Sequence, residues 1–167
     1  MKKLSLVFLL LVSHLLLFSY VIEIGDGTDT TQNIPINPDY AYTYSQQIYS
    51  VDYFPHFGEI TGVTFMYTFV SSNLSQYCND FVVYLGETEK EYFENDDDWV
   101  AFDSLESVYE GDIPSSSYSN NEGGEGELHI EFQNNFDYSG NGNLVLMICE
   151  NNPLSGDSGD NFYAFET

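Results

Sequence analysis

The chain has 167 residues and sets 27 Asp and Glu against 3 Lys and Arg, a formal charge of −24. Nucleic-acid backbones and anionic membrane surfaces are held by clustered basic side chains, and this sequence contains no Arg, so both partners are excluded. Hydrophobic residues at 43%, with 14 Tyr and 13 Phe, supply enough aromatic area to offset chain entropy, which points to one folded acidic domain rather than a disordered chain.

Residues 1–21 open with Lys2 and Lys3, run apolar from Leu4 to Phe18 and end on Ser19, Tyr20 and Val21. A basic start and an apolar stretch of about 15 residues, shorter than the roughly 20 a spanning helix needs, predict a secretory signal peptide, with an uncleaved N-terminal anchor the alternative because no Ala-x-Ala site follows. Its removal leaves Lys90 as the single Lys or Arg, so the exported chain carries 1 − 27 = −26. The expected location is secreted or on the cell surface. Cys78 and Cys149 then meet an oxidising compartment, and two thiols in one small exported domain predict a disulfide; two buried thiols are the alternative.

From residue 22 to 167 the pattern is alternation of apolar and polar residues rich in aromatic and β-branched types, with no sustained helical period. Strands are predicted over Thr31 to Ile36, Tyr44 to Val51, Ile60 to Val70, Phe81 to Leu85, Trp99 to Phe102, Ser107 to Tyr109, Glu127 to Phe132 and Asn143 to Cys149. Turn-forming clusters separate them, among them Asn37-Pro38-Asp39, Asn95 to Asp98 and Gly140 to Gly142. Glu87 to Phe93 is the one stretch able to make a helical turn, and Pro114 to Gly126, rich in Ser, Asn and Gly, reads as a mobile surface loop. Short strands between frequent turns predict an all-β, antiparallel two-sheet sandwich of jelly-roll type. Its interior should take Val63, Phe65, Tyr67 and Phe69 from one strand and Leu144, Leu146 and Ile148 from another.

Catalytic signatures fail on their partners. Gly156-Asp157-Ser158-Gly159 has the look of a protease nucleophile loop, yet the exported chain offers only His56 and His129 as bases, and neither stands in a matching context. A Gly, Ser and Asp turn explains the peptide. Zinc is not supported by cysteines 71 positions apart, and paired carboxylates for glycoside hydrolysis carry no signal among 27 acids. Calcium fits acidic loops better, because it accepts several oxygens in irregular geometry. The expected ion lies where Glu23, Asp26 or Asp29 at the start of the sandwich comes near Asp157 or Asp160 at its end, with Asp96 to Asp98 a further cluster. A solvated acidic surface is the plainer reading of the same residues.

The tyrosines, with Tyr40, Tyr42, Tyr44 and Tyr49 close together and Tyr53, Tyr67, Tyr84, Tyr92, Tyr109 and Trp99 further on, suit either half-buried strand positions or stacking on sugar rings.

Ile24-Gly25-Asp26-Gly27-Thr28, Pro35-Ile36-Asn37 and Tyr44-Ser45-Gln46-Gln47-Ile48-Tyr49 together resemble the opening of a β-sandwich module of large secreted proteins from Bacteroidetes-related bacteria. The likeness continues through Gly58-Glu59-Ile60-Thr61, Asn79 to Gly86, Asp98-Trp99-Val100, Phe136-Asp137-Tyr138 and Gly142 to Leu146. Such modules are similar to adhesin and carbohydrate-binding jelly rolls and usually precede a C-terminal type IX sorting domain. This chain stops at Thr167 without one, and the comparison implies that the last strand or two after Asn161-Phe162-Tyr163 is missing. The resemblance implies an exported non-catalytic module, monomeric as an isolated domain, for adhesion or for binding extracellular glycan or protein. A structural spacer or truncated remnant without a ligand is the alternative, and a glycoside hydrolase the remote one.

Overall fold

The computed structural model describes residues 19–69, 74–119, 124–156 and 159–165. Its strands in chain order are β1 (Asp29–Thr31), β2 (Thr43–Tyr49), β3 (Gly58–Thr68), β4 (Asp80–Thr88), β5 (Glu106–Asp112), β6 (Glu125–Tyr138), β7 (Asn143–Glu150) and β8 (Asn161–Ala164). One helical turn, α1 (Leu74–Tyr77), precedes β4. The strands make two four-stranded antiparallel sheets, ordered β1-β8-β3-β6 and β2-β7-β4-β5. The first strand pairs with the last, the second with the seventh, the third with the sixth and the fourth with the fifth. A double ribbon of this kind, wrapped so that β8 also meets β3 and β7 also meets β4, is a jelly roll.

The alternating residues build the core as expected. Phe65, Tyr67, Phe69, Leu144, Leu146 and Ile148 are all buried, and half-buried Val63 packs against them. Six of the predicted strands overlie β2 to β7, although Val70, at the end of one, lies outside the described residues. Four elements differ from expectation. Thr31 to Ile36 is a strand only at Thr31, after which the chain bends and buries Pro35 and Ile36. Trp99 to Phe102 is not a strand but belongs to a strap outside the sheet. Asn161 to Ala164, where no strand is predicted, forms β8, whose Phe162 is fully buried between Phe65 and Tyr67 and gives β1 its ribbon partner. Glu87 and Thr88 continue β4, and no helical turn forms from there to Phe93.

Of the predicted surface loop from Pro114 to Gly126, residues 120–123 lie outside the described residues, and the parts on either side are held to the fold. Tyr118 is buried, bridges Leu128 and donates its hydroxyl to the Cys78 carbonyl, while the Ser119 N–H binds the Glu127 carbonyl at 2.9 Å. A Cβ at Gly126 would lie 2.5 Å from the Ser119 oxygen, so the absent side chain lets this return segment close on β6.

The predicted disulfide does not form: both cysteines are free. Leu144, Leu146 and Ile148 point into the sandwich, so strand alternation sends Cys149 to the outer face, whereas Cys78 belongs to the core between the sheets. Burial pushes the Cys78 thiol up to about 12, with Glu150 and Asp160 adding, and burial also raises Cys149. Neither is a ready thiolate nucleophile at neutral pH. Alkylation in denaturant without reductant should therefore modify both residues. A native disulfide would instead protect both and would contribute about 2–4 kcal/mol to stability.

Candidate ligand-binding face

Outward-pointing residues of the β2-β7-β4-β5 sheet form the candidate site. Cross-strand register sets them in rows, because directly opposed antiparallel residues share a face. One row is Tyr44, Cys149, Val82 and Glu110; the next is Gln46, Met147, Tyr84 and Ser107. Over this face runs the strap from Glu89 to Leu105, which connects β4 to β5.

The strap is fixed to the sheet at two points and braced within itself by an ion pair. Gln46 makes a two-bond clamp on Val100, accepting from its N–H at 2.9 Å and donating to its carbonyl at 3.1 Å. Lys90 binds Asp98 at 2.5 Å, and the Glu94 N–H with that ammonium holds the Asp98 carboxyl below the usual carboxylate range. At the far end Leu105 lies so close to β4 that a Cβ on Gly86 would sit 2.6 Å from its Cδ2. The alternation that made Trp99 to Phe102 look like a strand has a different cause: Val100 is buried against the sheet while its neighbours face solvent.

These anchors set two aromatic pairs on the surface. Trp99, whose indole N–H donates to the Asp96 carbonyl at 2.6 Å, lies with its ring 5.3 Å from Tyr44. Phe102 stands edge-on to Tyr84 at 4.9 Å. Tyr44 is 63% exposed, Phe102 58% and Trp99 39%. Lone exposed hydrophobic residues are ordinary, but rings clustered on one face make a candidate recognition surface. Burial raises the Tyr84 phenol, and the charges of Cys149 and Glu110 add to it. The pairs are roughly 12 Å apart by strand spacing and rise, a span suited to a short chain of rings rather than a single one.

Tyr44, Tyr84 and Trp99 were legible as stacking candidates; Phe102, Gln46 and Glu110 were missed. Their signal lay in register, since Glu110 joins the face only through its pairing with Val82. The other candidate tyrosines divide. Tyr67 is core, Tyr49, Tyr53 and Tyr109 are half-buried, and Tyr40, Tyr42 and Tyr92 are exposed.

The acids expected to share a cation are not brought together. Glu23, Asp26 and Asp29 are exposed, and Asp26 accepts from the Thr28 N–H and hydroxyl at 3.1 and 2.7 Å. Asp29 pairs with Ala164, four residues along β8 from Asp160, or about 13 Å at strand rise. Asp160 is buried, close enough for its charge to act on Tyr67 and Cys78, and Asp157 lies outside the described residues. Among the described residues no group of three or more His, Cys, Asp or Glu is arranged to hold a metal ion.

A second constellation is interior. Glu150, the inward residue that ends β7, is 1% exposed. Burial raises its carboxyl to about 7, with the Asp80 charge adding and the N–H groups of Asn152, Asp80 and Asn79 opposing. Asn152 carries the network on to the Asn79 side chain at 2.6 Å, and Asn151 donates to the Asp80 carbonyl at 2.7 Å.

No protein-family model, curated protein or solved structure matches this chain.

Proposed function

We propose that this is an exported, non-catalytic jelly-roll module for adhesion, whose outer β2-β7-β4-β5 face binds an extracellular glycan. The exposed pairs Tyr44–Trp99 and Tyr84–Phe102, held on a rigid sheet by the Gln46–Val100 clamp, carry the reading. Rings of this kind stack on the apolar faces of sugars, and amide and carboxylate groups at the rim accept from hydroxyls. The likeness to secreted adhesin and carbohydrate-binding modules agrees with it, as does the signal-like start of the chain. Non-catalytic action is favoured by where the raised carboxyl sits: Glu150 has a general acid's proton affinity but is buried between the sheets, away from the aromatic face.

A glycan array followed by titration calorimetry on the best binder tests this. Trp99→Ala and Phe102→Ala should each weaken binding by about tenfold, while Phe57→Ala, also strongly exposed but off this face, should leave it unchanged. Equal effects from all three, or no glycan bound, would support the spacer reading instead.

A further inference from the structure

Charge on the binding face points to a particular class of glycan. Glu110 stands opposite Val82 on the outer face, and one row further Asp80 stands directly opposite Asp112. Three carboxylates therefore border the aromatic pairs on the β4 and β5 side, with rows about 7 Å apart. Like charges directly opposed across a ladder destabilise a sheet, so the Asp80–Asp112 pairing costs stability in the free protein. Lys90, the single Lys or Arg after residue 3, is already bound to Asp98. An ammonium arriving with a ligand would relieve that repulsion. An anionic glycan would meet the opposite field.

We infer that the face takes a cationic amino-sugar chain, its sugar rings lying on Tyr44–Trp99 and Tyr84–Phe102 and its free ammonium groups held by Glu110, Asp112 and Asp80. This rests on the glycan-binding reading above. N-acetylation of the ligand would remove the charge while keeping the ring, which makes a matched pair of probes available.

The test is calorimetry of the full exported chain with hexameric β-1,4-glucosamine and its fully N-acetylated counterpart, in mildly acid buffer at low and raised salt. The amine form should bind roughly tenfold or more tightly than the acetylated one, with the gap narrowing as salt rises. The double variant Glu110→Gln, Asp112→Asn should close the gap without weakening the acetylated ligand. Trp99→Ala keeps the net charge and should weaken both ligands. If Trp99→Ala leaves amine binding unchanged, the attraction is only that of a polycation for an acidic protein, and the inference is overturned. Acetylated or neutral chains binding as tightly as the amine form would overturn the cationic class while leaving the glycan face intact. Binding of a Lys-rich peptide but of no sugar would overturn both and assign the face to a protein partner.

Discussion

Raising the pH from 4.5 to 7 should destabilise the native domain by about 3 kcal/mol more than it destabilises a Glu150→Gln variant. Below 4.5 the Glu150 carboxyl is protonated in both the folded and the unfolded chain, and its contribution to stability is fully present. Between 4.5 and 7 the unfolded chain releases the proton while the fold retains it, so stability falls with pH. Above 7 both are ionised and the loss is complete. The Asp80 charge, from the other face of β4, reaches the carboxyl, and Cys78 after α1 and Tyr118 interact with it as well. The Cys78 thiol and the Tyr118 phenol are both held protonated through this window by burial, so neither adds a titration of its own. The formal charge of −24 makes the whole molecule repel itself as pH rises, and comparison with the Gln variant cancels that common term. Thermal melts should show the difference as about 6–12 °C. Parallel pH profiles for the two proteins would mean that the Glu150 carboxyl is hydrated in the folded state, contrary to its burial.

Phe162→Ala should cost about 3–5 kcal/mol, a large share of the roughly 5–15 kcal/mol that holds a typical domain. The ring is fully buried, edge-on to Phe65 and 5.8 Å from Tyr67, and close packing on every side leaves little room for a cavity to collapse. Its backbone also pairs with Thr31 on one side and Tyr67 on the other, so loosening β8 unseats β1 as well. The neighbouring Tyr163 provides the control. It is half-buried on the opposite face and its hydroxyl donates to exposed Glu125, so Tyr163→Phe should change stability by no more than about 0.5 kcal/mol. In urea the two variants should differ in midpoint by at least about 1 M. Equal midpoints would show that β8 does not close the ribbon.

Period-2 alternation made the sandwich legible, because a strand with one buried face repeats its apolar residues every second position. That rule served where strands were long, as in Val63 to Phe69 and Leu144 to Ile148. It failed for β8, since four residues with a single inward aromatic do not make a period. Composition did not mark Tyr118: Ser, Asn and Gly around it give the look of open loop, yet its ring is buried. The disulfide was a misreading of information already in the sequence. If Ile148 faces in, Cys149 faces out and Glu150 faces in again, and that parity both separates the thiols and buries the carboxyl. The candidate face was only half legible, because Tyr84 and Phe102 meet through a strap whose path depends on the Gln46–Val100 clamp, 54 residues apart in sequence.

The pairing of the first strand with the last has a mechanical consequence. Asp29 stands opposite Ala164, so the chain enters and leaves the sandwich at one point. Tension applied through the flanking segments would run across the β1–β8 ladder, along its hydrogen bonds rather than along the strands. Bonds loaded in that direction break in succession, beginning with the outermost, instead of sharing the force. A tether built on this module would yield at low load by peeling β1 away, while the sheet that carries the aromatic face lies outside the line of force.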